Sequence, residues 1–211
     1  MKNLLITLLV VAIAAFGVWY FLFKGKKSES VSGTRQEAMT VSQHSAGFNA
    51  AMQKMMDAYY RMTEAFVQWD IDAVNKTANE LKLAMDSLKI EEMKKDTLIY
   101  PTVVNQWEQV RSEIAGLLLD ADLTEKRASL NMLSNQMYDL LRVVKYDVAK
   151  VYLQECPMAL NNYEMAANWL SPSDSIRNPY LGLKDPKYGR GMLVCGITKD
   201  TLNFIRPAKT N

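Results

Sequence analysis

Histidine and cysteine are scarce in this chain, which has one histidine and two cysteines in 211 residues. Zinc sites commonly use several histidines or cysteines at short spacings, and no such group is present in the sequence. The chain also lacks a glycine-rich phosphate loop, a nucleophile elbow and a Cys-x-x-Cys redox motif. We therefore predict that the protein is not an enzyme.

Isolated candidate ligands have simpler explanations. His44 has no second ligand at a metal-binding spacing, so we interpret it as a single surface histidine. Met52, Met55, Met56 and Met62 crowd one predicted helix, and thioethers can bind Cu(I). Three of these methionines fall on the apolar face of the helix and Met56 flanks it, so we interpret the cluster as core packing.

A basic stripe is also missing. The chain has 25 basic residues, of which Lys2, Lys24, Lys26 and Lys27 flank the N-terminal apolar run, leaving 21 against 23 acidic residues. The remainder is therefore near −2 in net charge and has no basic patch interleaved with aromatic residues. This composition argues against nucleic acid as a partner.

The N-terminal run from Leu4 to Phe23 contains twenty residues without a charge. A helix of that length spans roughly 30 Å, the thickness of the bilayer core. A cleaved signal peptide is the alternative, since Ala12-Ile13-Ala14 fits a signal peptidase site, but the apolar run continues well past Ala14. We predict an uncleaved single-pass membrane anchor over residues 1–24.

Residues 25–44 are rich in Lys, Ser, Gly and Glu, which predicts a flexible polar linker before a folded domain over residues 45–211. The membrane orientation is ambiguous from charge alone. Three lysines follow the span and only Lys2 and the terminal amine precede it, so the positive-inside rule weakly favours a cytoplasmic domain.

Four segments of the folded domain have apolar residues in steps of three and four, which predicts four amphipathic helices. Pro101 suits the first turn of the third helix, and Asp122 followed by Glu125 is a capping-box pattern that opens the fourth. The apolar residues run from Phe48 to Trp69, from Ile71 to Leu88, from Val103 to Ala121 and from Leu130 to Val144.

Beyond Tyr146 the sequence becomes strand-like, with turns marked by Gly, Pro and Asn. We predict short strands at Val148–Leu153, Met192–Val194 and Thr201–Ile205 that form a small antiparallel sheet. The predicted fold is therefore mainly α: an antiparallel four-helix bundle with a small C-terminal β cap, preceded by one transmembrane helix.

The two cysteines lie in this cap, and each has a methionine nearby. Cys156 precedes Met158 by two residues, and Met192 precedes Cys195 by three. If the two segments meet, two thiolates and two thioethers form a ligand set that suits Cu(I) or Ag(I). A disulfide and a pair of unbonded thiols are the alternatives, and the spacing does not decide between the three.

Four ordered motifs in the C-terminal part carry a family resemblance: Glu155–Ala159, Asn168–Ser171, Ile176–Tyr180 and Met192–Gly196. They resemble a bacterial cell-envelope domain of unknown function that also occurs appended to periplasmic adaptor proteins of copper and silver efflux pumps. The likeness covers about residues 45 to 205 and includes Arg127 and Leu133-Ser134.

The resemblance implies a helical bundle with a small cap, a role in copper or silver handling, and a location on the periplasmic side of the bacterial inner membrane. This location conflicts with the weak charge bias. Two departures from the family pattern are a longer stretch between Tyr180 and Met192 and the absence of a preceding adaptor hairpin or barrel. The resemblance therefore does not imply a pump adaptor.

Two functions follow as hypotheses. In the first, the protein is a tethered metal-binding module with Cys156, Met158, Met192 and Cys195 as ligands for Cu(I) or Ag(I), partnered with an efflux-system or other envelope protein. In the second, the cysteines form a structural disulfide and the domain docks on another envelope protein. The candidate docking residues are aromatic, namely Trp169, Tyr180 and Tyr188, and a buried structural role is the alternative for Trp169.

Overall fold

The computed structural model of the protein describes residues 44–205. The predicted anchor at Leu4–Phe23 and almost all of the predicted linker lie outside the described residues, as do residues 206–211. Between residues 44 and 205, no helix combines the length and the apolar character needed to cross a bilayer. The membrane anchor therefore stays a prediction.

Four α-helices and one three-stranded sheet form the described part of the chain, which is mainly helical as predicted. Two short 3₁₀ turns lie at Ile90–Lys95 and Arg190–Val194. The helices are α1 (Ala46–Val67), α2 (Ile71–Asp86), α3 (Tyr100–Leu119) and α4 (Leu123–Val144). The strands are β1 (Val151–Leu160), β2 (Met165–Ser171) and β3 (Ile197–Leu202).

Helix α1 ends earlier than its apolar pattern predicts. Trp69 adopts a left-handed conformation with φ of 58°, and its N–H donates to the carbonyl of Phe66 while the N–H of Asp70 donates to the carbonyl of Ala65. This pair of bonds closes the helix in a position that glycine usually occupies. The chain therefore turns after Val67, and the ring N–H of Trp69 donates to the carbonyl of Leu181 at 2.8 Å.

The predicted start of α4 is confirmed. Asp122 accepts hydrogen bonds from the N–H groups of Thr124 at 2.7 Å and Glu125 at 3.0 Å. The Glu125 carboxylate in turn accepts from the N–H of Ala121 at 2.9 Å. These bonds satisfy backbone donors that have no partner within the helix. Pro101 also lies in the first turn of α3, as predicted.

The hydrophobic core forms where the apolar faces of the helices meet. Helix α1 packs mainly against α2, and α3 packs mainly against α4. The connection of three residues within each pair fits the predicted up-and-down order. All four clustered methionines, Met52, Met55, Met56 and Met62, are at most 1% exposed and belong to the core. Met56 is thus a core residue and does not merely flank the apolar face.

The sheet has the order β2-β1-β3, and both pairings are antiparallel. The predicted strand at Met192–Val194 is wrong, because these residues form a 3₁₀ turn. Both edges of the central strand β1 are already paired with β2 and β3, so this segment has no place on β1. The sheet rests chiefly on α4 and, through β2, also contacts α1.

Strand β2 is missing from the prediction. Its first half, Met165-Ala166-Ala167-Asn168, has little of the β-branched and aromatic character that marks strands. The preceding turn carries the signal that identifies the hairpin. Asn161 and Asn162 have φ angles of 50° and 54°, which asparagine tolerates better than most residues.

A buried chain of hydrogen bonds joins the sheet to the helices. The N–H of Leu170 in β2 donates to the Tyr59 hydroxyl at 3.1 Å, which lies 2.7 Å from the Ser134 hydroxyl in α4. Ser134 donates to the carbonyl of Leu130 at 2.6 Å. Because a carbonyl only accepts and a hydroxyl has one hydrogen, Tyr59 must be the donor to Ser134. Burial raises the pKa of Tyr59 to about 12, which keeps this donor protonated.

We predict that Tyr59→Phe lowers the free energy of unfolding by about 1 to 3 kcal/mol, because it leaves the buried N–H of Leu170 without an acceptor. Tyr60→Phe is the matched control. Tyr60 is only partly buried and takes no part in the chain, so its loss should change stability by less than about 0.5 kcal/mol. Urea unfolding followed by circular dichroism measures both variants, and equal losses would contradict the prediction.

Candidate functional site

The two cysteines come together beside the central strand β1, just before the start of β3. Cys156 lies on the central strand β1 opposite Ala167, and Cys195 lies between the Arg190–Val194 turn and β3. Their Sγ atoms are 2.7 Å apart, although 39 positions separate them in the sequence. Antiparallel pairing of β1 with β3, from Glu155 opposite Ile197 onward, brings the segment before β3 next to Cys156.

Burial determines the protonation state of Cys195. Cys156 is fully buried, and Cys195 is half-buried against the hydrophobic core. Burial raises the pKa of the Cys195 thiol to about 12, and the neighbouring Cys156 contributes to the rise. At neutral pH Cys195 is therefore a thiol, and no cationic side chain is among the groups that shift its pKa, unlike the case of an activated nucleophilic cysteine. This arrangement suits binding or pairing more than covalent catalysis.

Asn178 holds the segment that carries Cys195. Its side-chain amide donates to the carbonyl of Cys195 at 2.9 Å, and its backbone N–H donates to the carbonyl of Leu193 at 2.8 Å. Its side-chain oxygen accepts from the N–H groups of Tyr180 at 2.8 Å and Leu181 at 3.2 Å. Asn178 is completely buried, so it fixes two loops to one another at the site.

Gly196 allows the cysteine segment to approach the sheet. A Cβ atom at this position would lie 2.8 Å from the Glu155 carbonyl oxygen and 2.8 Å from a ring carbon of Trp169. The backbone also has a φ of 151°, which residues with a side chain rarely adopt. The sequence analysis included Asn178 and Gly196 in two of the four motifs but predicted no role for either residue. The Asn-Pro and Cys-Gly pairs were the available signals, because they indicate a constrained backbone.

The two predicted methionine ligands are half-buried and pack against the core. Met158 follows Cys156 by two positions on β1, although the strand register shifts after Cys156. Met192 lies in the middle of the Arg190–Val194 turn that leads to Cys195, and its carbonyl accepts the N–H of Cys195 at 3.0 Å. The structure thus brings the two thiols into contact. In the sequence, each methionine lies within three positions of one of these cysteines.

The donor set suits a soft metal, but the sulfur separation must change for a metal to bind. Two thiolates at about 2.3 Å from one tetrahedral metal are about 3.8 Å apart. The observed 2.7 Å therefore has to widen by about an ångström for a shared metal. In the range 44–205 no cluster of three or more His, Cys, Asp or Glu side chains could hold a metal.

The other residues that the sequence singled out are the lone histidine and the three candidate docking aromatics, and the structure shows where each of them lies. The Nε2 atom of His44 lies 2.7 Å from the carbonyl of Val144, and its ring stacks on Phe48. Trp169 and Tyr180 are 2% and 1% exposed and meet edge to face, so they are not the docking residues proposed for the second hypothesis. Tyr188 is exposed at 43% and remains available on the surface.

Comparison with known proteins gives one family match. The model of a family described as "Protein of unknown function (DUF3347)" matches residues 55–147. This range covers most of the helical part, less than half of the chain, and it ends before Cys156. No curated protein and no solved structure matches the chain. The match supports the predicted resemblance to an uncharacterised domain, while the link to efflux adaptors stays a prediction.

We predict that Gly196→Ala destabilises the domain by about 2 kcal/mol or more and separates the two cysteines, because the new Cβ collides with backbone and forces an unfavourable φ. Gly191→Ala is the matched control, since a Cβ there meets no atom within 4 Å. Urea unfolding measures stability, and the yield of the Cys156–Cys195 disulfide under mild oxidation measures proximity. Equal behaviour of both variants would contradict the role assigned to Gly196.

Proposed function

We propose that the protein is a membrane-tethered periplasmic module that binds a soft monovalent metal, Cu(I) or Ag(I), in connection with metal efflux or homeostasis. The observation that supports this proposal is the contact between Cys156 and Cys195, whose Sγ atoms lie 2.7 Å apart. Each thiol has a thioether within three residues, and sulfur ligands of both kinds prefer Cu(I).

The metal is cargo in this proposal, and the protein supplies a pair of thiols that lose their protons when it binds. Cys156 is held in the central strand, whereas Cys195 lies on an irregular segment and is only half-buried. The widening needed for metal binding therefore falls on Cys195. Met158 and Met192 then supply thioether ligands, which add no charge to the site.

The envelope location and the partners rest on the sequence. An apolar run long enough to span a bilayer precedes the domain, and the resemblance described above points to metal efflux systems. An efflux-system protein or another envelope protein would receive the metal. The raised pKa keeps Cys195 protonated until a metal displaces the proton, and a protonated thiol is a weak nucleophile.

A second candidate function is a non-metal interaction module in which Cys156 and Cys195 form a structural disulfide. The 2.7 Å contact favours it, since the sulfurs are closer than a shared metal requires. An oxidising compartment such as the periplasm would permit the bond. Val194 and Ile197, which flank the cysteine segment, are 68% and 60% exposed and offer an apolar surface beside the pair.

We predict that the reduced full-length protein, purified in mild detergent, binds one Cu(I) in competition with a chromogenic chelator. Cys156→Ser and Cys195→Ser should each weaken binding by at least about tenfold, or 1.4 kcal/mol, because each removes a thiolate ligand. Met158→Leu and Met192→Leu should weaken it less. Met165→Leu, which changes an exposed methionine of β2, is the matched control and should have no effect.

Unchanged binding in both serine variants, or no competition by the wild-type protein, would refute the metal site. The state of the cysteines then identifies the alternative. Protein isolated without reductant and treated with an alkylating agent should stay unmodified if Cys156 and Cys195 form a disulfide. Modification only after reduction would support the interaction module, and the search would turn to protein partners.

Copper affinity should also depend on pH. A pKa of about 12 means that Cys195 is protonated across the neutral range, so metal binding must release its proton. We therefore expect the Cu(I) association constant to rise by about tenfold per pH unit for each thiol deprotonated, between about pH 6 and 8. The chelator competition, corrected for protonation of the chelator, measures this slope. A flat profile would show that no thiol proton is released.

A further inference from the structure

A small cavity that neither cysteine lines is found where α1 ends and α4 begins. Its volume is about 170 Å³, and Trp69, Arg127, Tyr163 and Asp185 are among the residues that line it. This volume is smaller than the roughly 300 Å³ at which pockets for drug-sized ligands begin. The cavity can therefore hold only a small group.

Arg127 is the unusual residue of this cavity. It is only 6% exposed, and its guanidinium carbon lies 4.0 Å from the centre of the Trp69 ring. Stacking satisfies the face of the guanidinium but leaves its edge unpaired. Both Nε and Nη2 are buried and have no hydrogen-bond partner within the described residues. An unpaired buried donor of a charged group costs free energy that an acceptor would recover.

The two unpaired atoms form one edge of the guanidinium. Another arginine of this protein, Arg177, uses the same edge to bind a carboxylate. In Arg177 the Nε atom donates to one carboxylate oxygen of Glu64 at 2.5 Å, and Nη2 donates to the other at 2.6 Å. This is the two-point geometry in which arginine recognises a carboxylate. Arg127 offers the same pair of donors without the carboxylate.

The acidic residues near Arg127 are engaged elsewhere. The buried Asp185 accepts hydrogen bonds from the Tyr163 hydroxyl at 3.0 Å and from the N–H groups of Lys187 at 3.1 Å and Tyr188 at 2.6 Å. Asp122 caps α4. Burial lowers the pKa of Arg127 to about 10, with Asp185 and Asp122 opposing the shift, so the guanidinium remains charged at neutral pH.

We propose that this cavity is a carboxylate-binding site in which the Nε and Nη2 groups of Arg127, which are covered in the unliganded protein, hold the two carboxylate oxygens once the side chains over this edge move aside. The cavity size limits the ligand to a small carboxylate or to one acidic side chain that a peptide presents. Both sources share the same chemistry. Neither cysteine lines the cavity, so the thiol pair is not part of this site.

The test uses the ¹⁵N-labelled full-length protein in mild detergent, titrated with sodium acetate and, separately, with a short capped peptide that contains one glutamate. The Nε–H resonance of Arg127, assigned by its loss in Arg127→Lys, should shift with saturation. Sodium chloride at equal ionic strength should not produce the shift. Intrinsic fluorescence of Trp69 and the other tryptophans reports the same binding in variants that lack this resonance.

Arg127→Lys keeps the positive charge but removes the two-point edge, so carboxylate affinity should fall by at least about tenfold. Arg177→Lys is the matched control, because its edge is already occupied by Glu64, and it should bind like the wild type. Saturation with acetate supports a small-molecule site, and saturation with the peptide alone supports an acidic side chain as the ligand.

The absence of a saturable shift with either probe would overturn the proposal. It would also fail if Arg127→Lys, folded by circular dichroism, bound as tightly as the wild type. Should Arg127→Lys not fold, the Nε–H resonance of Arg127 is assigned in the wild type by through-bond experiments that link it to the Arg127 backbone. That resonance then decides, because a shift of another arginine with Arg127 unmoved would also overturn the proposal.

Discussion

The placement of the sheet on the helices depends on the buried hydrogen-bond chain from Leu170 through Tyr59 and Ser134 to Leu130. The chain joins β2, α1 and α4, with Ser134 and Leu130 both on α4, and all four residues are buried. Buried polar groups have to be paired, so only one relative position of β2, α1 and α4 satisfies all four. Since β2 pairs with β1, this chain also fixes the position of Cys156.

A second set of contacts places the other cysteine. Asn178 binds the loop of Tyr180 and Leu181 through its side-chain oxygen and the Cys195 carbonyl through its amide nitrogen. Gly196 then lets the chain pass against Trp169. The thiol pair is thus built by the cap, with one cysteine fixed in a strand and the other on a segment held mainly by hydrogen bonds. This difference makes Cys195 the adjustable partner.

The two proposed sites differ in chemistry and in their place along the chain. The cysteine pair offers soft sulfur ligands, whereas Arg127 offers two N–H donors to a carboxylate. The family match over residues 55–147 includes Arg127 and ends before either cysteine. A role in metal handling therefore depends on the cap, and carboxylate recognition depends on the junction of the helices with the cap loops.

The sequence alone determined the four helices and the start of α4, because apolar spacing and the Asp122–Glu125 cap are local features. It did not determine β2, whose alanine-rich first half forms a strand only because β1 offers an edge. Spacing likewise left the relation of Cys156 to Cys195 open. Only the tertiary structure brought these thiols together and left the edge of Arg127 unpaired, because both results depend on contacts between distant segments.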